Sequence, residues 1–181
     1  MSKAILSLVS CILFSVLMAG CSRLENKQSS ASEAHTPETS KAAAPDGPPA
    51  DVVRVTVSPV DITAGGNADA SVKILITKGY HINGNPASKY QIATTLEVPQ
   101  ADGITPGKAV YPQGVSKKFS FSNEAIMVYD TEVLIKQPLQ AERGVLKTSR
   151  TLRGTLKVQP CDDTVCYPPR TLEVSIPVNV N

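Results

Sequence analysis

The sequence has no tryptophan and only three phenylalanines among its 181 residues. A folded core must therefore rest on the aliphatic side chains Val, Ile and Leu. The chain also lacks a charge excess, because its formal net charge is only +2. Nucleic-acid binding requires a concentrated basic face, whereas the lysines and arginines here are scattered among acidic residues. We therefore expect no nucleic-acid partner.

The sequence also lacks helical periodicity, and it contains no visible internal repeat. Instead, short apolar and alternating runs are separated by turn sequences such as residues 65–67 and 101–103, which predicts strands. Pro177 indicates that part of the last strand lies at a sheet edge. The candidate strands are residues 52–57, 72–77, 93–98, 109–111, 127–136, 151–158 and 172–180. This pattern favours an all-β fold, an immunoglobulin-like antiparallel β-sandwich of roughly 130 residues.

The first residues are typical of a secretory signal. Lys3 precedes an apolar run over residues 4–19, which is short for a membrane span. The run ends in LMAGC, and small residues before Cys21 resemble the bacterial lipobox, in which that cysteine is lipidated. The alternative is an ordinary cleaved signal with an incidental cysteine. We predict a lipoprotein in the bacterial cell envelope, lipid-anchored on the periplasmic side, and Ser22 favours the outer membrane.

Three segments follow from this pattern. Residues 1–20 are predicted to be a lipoprotein signal peptide. Residues 21–50 are rich in Ser, Ala, Glu, Lys, Thr and Pro, and too poor in large apolar side chains to offset their ordering entropy. We therefore predict a lipidated flexible linker there, and a folded domain over residues 51–181.

The remaining chemistry lies in Cys161 and Cys166, because Cys11 falls in the signal and Cys21 is predicted to be acylated. Four intervening residues, bracketed by prolines, can bring the two cysteines within disulfide reach in an oxidising compartment. Closing so short a loop stabilises a fold by only about 2 kcal/mol. The spacing alone is compatible with two roles. The pair is either a redox-active disulfide that an external thiolate can attack, or an inert disulfide that only closes the loop. Two thiolates, even with His81, leave a zinc site incomplete, so we expect no metal and no cofactor.

Three motifs together resemble a known family. They are CDDTVCYPP at residues 161–169, GYHIN at 79–83 and YPQGV at 111–115. In this order they resemble the N-terminal periplasmic domain of DsbD, the thiol:disulfide interchange protein, over about residues 51–181. The resemblance implies an immunoglobulin-like sandwich with a redox-active disulfide at one end.

The resemblance also implies a protein-disulfide oxidoreductase, or at least an electron-relay domain. Cys166 would form the mixed disulfide with partners, and Cys161 would resolve it. The partners would be thioredoxin-like envelope proteins, both the electron donor and the oxidised clients. Asp162 and Asp163 are interpreted as solvated turn residues that oppose thiolate formation. Two alternatives stay open: a non-enzymatic, lipid-anchored binding domain with a structural loop disulfide, and a chaperone for metal or cytochrome thiols.

Other site residues follow from the same resemblance. The family has a loop with an aromatic residue that shields the disulfide, and Phe121 best matches it, with Phe119 as the alternative. His81 and Asn83 match tyrosines of the site-facing strand, and Tyr167 follows the second cysteine. His81 would lie near the thiols and favour a thiolate when protonated, or would be an exposed bystander.

Overall fold

The computed structural model describes residues 47–181, and every regular element among them is a strand. In chain order these are β1 (Val53–Val57), β2 (Val60–Ile62), β3 (Asn67–Ile76), β4 (His81–Asn83), β5 (Thr95–Glu97), β6 (Ile104–Pro106), β7 (Val115–Lys117), β8 (Ile126–Tyr129), β9 (Glu132–Ala141), β10 (Ser149–Val158), β11 (Pro160–Cys161) and β12 (Arg170–Val180). The predicted all-β class is confirmed. The described residues contain no helix long and apolar enough to cross a membrane.

The strands form three four-stranded sheets. Two of them contain the long strands and are called the large sheets, and the third, whose strands have two to four residues, is called the small sheet. The first large sheet has the order β1-β3-β9-β6, and the second has the order β2-β12-β10-β5. The small sheet has the order β11-β4-β8-β7. All pairs are antiparallel except β2 with β12, which run parallel. The predicted immunoglobulin-like antiparallel sandwich is confirmed, with this one parallel pair as an addition.

The core lies between the two large sheets because apolar residues alternate along their long strands. In β9 and β10, every second residue is buried and its neighbours mostly face solvent. Buried residues of both sheets join in one aliphatic cluster, including Ile74, Ile135, Leu152 and Ile176. The prediction that aliphatic residues supply the core is therefore confirmed.

Two predicted strands are wrong: one is divided in the structure, and the other does not form. Residues 127–136 do not form one strand, because Thr131 adopts a left-handed backbone with φ of 62° and breaks the run. The first part becomes β8 of the small sheet and the second becomes β9 of a large sheet. Residues 109–111 form no strand and make only an isolated bridge between Val110 and Lys136. Gly107 and Pro112 flank this stretch and limit regular pairing.

Pro177 lies where β12 has a neighbour on one side only. It is paired with Thr151 of β10, whereas β2 pairs only with residues 178–180. The structure thus has the edge position that Pro177 predicted.

The predicted signal peptide and lipidated Cys21 lie outside the described residues, as does most of the linker. Its last residues are described, and the guanidinium of Arg170 donates hydrogen bonds to the backbone oxygens of Pro48 at 3.1 Å and Ala50 at 3.2 Å. Arg170 therefore ties the start of the described chain to the start of β12.

Candidate functional site

The two cysteines lie in a tight hairpin between β10 and β12. Cys161 ends β11, and Cys166 forms an isolated antiparallel bridge with it. The backbone N–H of Tyr167 donates to the carbonyl of Pro160 at 2.9 Å, and that of Asp162 donates to Val165 at 3.0 Å. These bonds close the hairpin on both sides of the bridge. We call residues 161–166 the cysteine loop.

Cys161 and Cys166 are joined in a disulfide, with an S–S distance of 2.08 Å and Cα atoms 4.0 Å apart. Their surroundings differ: Cys161 is fully buried, with 0% exposure, whereas Cys166 is partly exposed. An attacking thiolate must approach its target sulfur directly. Of the two residues, Cys166 is therefore the more accessible to a partner.

Asp162 organises the cysteine loop. Its Oδ1 accepts from the backbone N–H of Thr164 at 2.8 Å and of Val165 at 2.9 Å, and from the Thr164 hydroxyl at 2.7 Å. Its Oδ2 accepts from the Tyr167 hydroxyl at 2.7 Å. Asp162 is thus a turn residue, as interpreted, and it is half-buried with its carboxylate hydrogen-bonded within the loop. The spacing Asp-x-Thr in a turn is the signal that could have predicted this Asx turn.

These bonds change the acidity of both partners. Partial burial of Asp162 disfavours its anion, but the hydrogen bonds from Thr164, Tyr167 and Val165 outweigh it and lower the pKa of this carboxyl well below its ordinary range. The hydrogen bond to Asp162 raises the pKa of Tyr167 to about 12. Asp163 is exposed, as predicted.

A loop between β7 and β8, residues 118–125, lies against the cysteine loop, and we call it the aromatic loop. The hydroxyl of Ser120 donates to the backbone oxygen of Asp163 at 2.9 Å, which joins the two loops. The ring of Phe119 stacks on His81 with centroids 4.1 Å apart, and Phe121 stacks on the far side of Phe119 at 5.2 Å. Phe119 is buried and Phe121 is 36% exposed. Phe119, the alternative, therefore contacts His81, while the shielding role of Phe121 stays a prediction.

His81 and Asn83 both lie in β4, next to β11. His81 is the register partner of Cys161 and is buried, so it is not an exposed bystander. Burial lowers the pKa of His81 below its ordinary value, which opposes the predicted protonated form in this closed arrangement. Asn83 Nδ2 donates to the Gln159 side chain at 3.1 Å and to the Ile92 carbonyl at 3.0 Å. Asn83 therefore supports the chain that leads into the cysteine loop.

Four charged side chains act electrostatically on His81: those of Asp130, Asp162, Asp163 and Lys117. Lys117 at the end of β7 makes an ion pair with Asp130, which follows β8. In the part of the chain that the structure describes, no three His, Cys, Asp or Glu residues come together as a metal site would need.

The domain is a β-sandwich whose loop disulfide has one cysteine more accessible than the other. This is the arrangement that a thiol–disulfide exchange domain requires. Residues 50–177 match the family described as "Thiol:disulfide interchange protein DsbD, N-terminal". The chain belongs to this family, and thiol–disulfide interchange is its general activity. No curated protein matches the chain.

Among solved structures, the chain is similar to the reduced N-terminal domain of DsbD from Neisseria meningitidis. The identity is 21% and the TM-score 0.48, over 73% of this chain and 90% of that chain. It is also similar to the N-terminal periplasmic domain of ScsB from Proteus mirabilis, with 15% identity and a TM-score of 0.46, over 70% and 45% of the two chains. A further match comes from the complex between the DsbD and PilB N-terminal domains of Neisseria meningitidis, with 19% identity and a TM-score of 0.45, over 71% and 84%.

Proposed function

We propose that the protein is an envelope thiol–disulfide interchange module that passes electrons through Cys161 and Cys166. The observation that carries this proposal is the unequal exposure of a bonded pair within a member of this family. Cys166 is partly exposed, whereas Cys161 is completely buried behind it. A pair that exchanges with partners needs one sulfur open to attack and a second one close enough to resolve the adduct.

The exchange then proceeds in two steps. In the reduced protein, the Cys166 thiolate attacks a disulfide of an oxidised client and forms a mixed disulfide. The Cys161 thiolate then attacks Cys166, which releases the reduced client and regenerates the Cys161–Cys166 disulfide. The client gains two electrons and two protons, and the pair loses them. A donor dithiol restores the reduced pair by the reverse sequence.

The hydrogen bonds of the cysteine loop support exchange over a purely structural disulfide. Asp162 and the backbone bond from Tyr167 to Pro160 already hold the loop closed. The disulfide adds roughly 2 kcal/mol or less by loop-closure entropy. A loop that keeps its shape without the S–S bond keeps its two sulfurs in place when they are reduced.

Partners and location follow the family. We propose thioredoxin-like envelope proteins as electron donor and as oxidised clients. One similar structure is a complex of a DsbD N-terminal domain with a PilB N-terminal domain, which is the kind of pairing this proposal requires. We also propose that the domain lies on the periplasmic side and that lipidated Cys21 anchors it to the membrane.

The test is the reduction potential of the pair. The full chain carrying Cys11→Ser and Cys21→Ser, with only Cys161 and Cys166 as thiols, is equilibrated in thiol–disulfide buffers of known potential. The fraction of reduced protein is then read by alkylation and mass spectrometry. We expect a potential between about −270 and −120 mV, the range of thiol oxidoreductases. A potential below about −300 mV is typical of structural disulfides and would contradict the proposal.

A further inference from the structure

His81 and Cys161 face each other across two paired strands. In the antiparallel pair of β4 and β11, His81 is the residue directly opposite Cys161. Directly opposed residues project from the same face of a sheet, with Cβ atoms roughly 4.5–5.5 Å apart. The imidazole and the buried sulfur therefore share one face of the small sheet.

His81 is a buried polar side chain with an unused atom. The residue is 3% exposed, and its Nε2 has no hydrogen-bond partner among the described residues. One ring face is covered by Phe119, at a centroid distance of 4.1 Å. Because nearly all buried polar atoms are partnered, an orphan nitrogen on the residue paired with Cys161 across the two strands points to a role in the reaction. A neutral imidazole has one nitrogen that can accept a proton.

Cys161 needs such an acceptor. Burial disfavours the charged form of a thiol, and Cys161 is completely buried. Only the thiolate attacks a disulfide, so the resolving step requires that this proton be removed. Asp162 and Asp163 are the two residues that follow Cys161 in the sequence, and as anions they oppose a thiolate further.

We propose that His81 accepts the proton of the Cys161 thiol when Cys161 resolves the mixed disulfide, an inference that rests on the proposed function. The Cys161 S–H bond breaks, and the proton passes to the imidazole. The Cys161–Cys166 bond forms as the bond from Cys166 to the client sulfur breaks. The electron pair leaves on the client sulfur, which takes up a proton from the imidazolium or from water.

The charges that face His81 permit this role. Burial has the largest influence on the pKa of His81 and lowers it overall. The pKa is also lowered by Lys117 of β7, and it is raised by Asp162 and Asp163 of the cysteine loop and by Asp130 after β8. The imidazole is therefore uncharged at neutral pH and is free to take a proton.

The experiment isolates the resolving step. The full chain with Cys11→Ser and Cys21→Ser is reduced and mixed in a stopped-flow instrument with equimolar 5,5′-dithiobis(2-nitrobenzoate). The first coloured thiolate is released when Cys166 forms the mixed disulfide, and the second when Cys161 displaces it. This leaving group departs as an anion, so the second phase depends on the ionisation of Cys161 and not on protonation of the product. The variants are His81→Gln and His81→Ala, and the control is His35→Gln, which removes the only other histidine.

We expect His81→Gln to slow the second phase about 100-fold at pH 7, and to leave the first phase and the control within about two-fold of the parent protein. The parent's second phase should fall as pH drops through the lowered pKa of His81, which lies below the ordinary value of about 6.5, whereas that of His81→Gln should keep rising above neutral pH. Added imidazole should accelerate His81→Ala. An unchanged second phase, or a slowing that is equal at every pH and not rescued by imidazole, overturns the role of His81. A parent protein without a second phase overturns the dithiol exchange itself, and this inference with it.

Discussion

The hydroxyl of Tyr167 donates a 2.7 Å hydrogen bond to Oδ2 of Asp162, which ties the residue after the second cysteine to the residue after the first. The same carboxylate holds the turn between the cysteines through Oδ1. The geometry of the cysteine loop is therefore set by an aspartate as well as by the S–S bond.

The Tyr167–Asp162 bond predicts a specific pH dependence. The pKa of Asp162 is lowered in the folded state. Its contribution to the free energy of unfolding is therefore present above the ordinary pKa of about 4 and is lost as pH falls through the folded-state pKa. The pKa of Tyr167 is raised to about 12, so its contribution is present below the ordinary value of about 10 and is lost as pH rises towards 12. Tyr167→Phe should remove this loss of stability at alkaline pH.

This prediction is checked by absorbance at 295 nm and by urea unfolding at several pH values. The difference titration between the parent protein and Tyr167→Phe should show one tyrosine ionising near pH 12. In Asp162→Asn, the same tyrosine should ionise closer to its ordinary value, because no anion faces it. A Tyr167 that ionises normally in the parent protein would contradict the hydrogen bond.

Burial of His81 under Phe119 predicts a second titration. Its pKa is lowered chiefly by burial, so the folded state favours the neutral imidazole. This contribution to stability is fully present above the ordinary value of about 6.5 and declines as pH falls below it. Phe119→Ala should move the His81 pKa back towards that value, and Phe121→Ala should move it less. NMR of the imidazole protons, assigned with His81→Gln, measures this; equal shifts in both variants would contradict the stacking order.

The same two phenylalanines predict different access to the disulfide. Aromatic pairs contribute about 0.5–1.5 kcal/mol beyond area burial, which corresponds to a roughly two- to ten-fold change in the open population of a loop. Phe119→Ala should therefore speed reduction of the disulfide by dithiothreitol by about that factor, and Phe121→Ala should have a smaller effect. A larger effect of Phe121→Ala would instead make Phe121 the shielding residue that the family resemblance predicts.

Gly154 predicts a packing effect at the sandwich edge. A Cβ at this position of β10 would lie 2.7 Å from the backbone oxygen of Glu97 and 2.9 Å from Val98 Cγ2, so β5 could not approach as it does. Gly154→Ala should lower the free energy of unfolding by about 1–3 kcal/mol, as overpacking does. The matched control is Gly144→Ala, where a Cβ meets no atom within 4 Å. Urea unfolding of both variants decides this, and equal stabilities would contradict the close approach of β5.

The fold could largely be predicted from the sequence because alternating burial is a local property of a strand. Leu152 and Leu156 have polar neighbours on both sides and are buried as that pattern requires, and Val133 and Ile135 are buried on either side of the exposed Leu134. Bounds were less predictable where the backbone, not the side chains, ends a strand. The left-handed Thr131 divides residues 127–136, which the sequence pattern had joined in one candidate strand.

The candidate site was only partly predictable, because its contacts join residues far apart in the chain. The cysteine pair and its prolines are adjacent in sequence, so their loop could be found directly. Two contacts depend on tertiary folding: the stack of Phe119 on His81 and the hydrogen bond from Ser120 to Asp163. No local sequence pattern predicts either of them. Asp162 was an exception, because its Asx turn has a local signature.

The central claim is that Cys166 is the point of attack and Cys161 the resolving residue. Its most direct test is to mix reduced Cys161→Ser and reduced Cys166→Ser, each in the Cys11→Ser, Cys21→Ser background, with an oxidised thioredoxin-like protein. Adducts are then identified on non-reducing gels and by mass spectrometry. We predict a lasting mixed disulfide through Cys166 in the first variant and none in the second. An adduct through Cys161, or no adduct with either variant, would contradict this account.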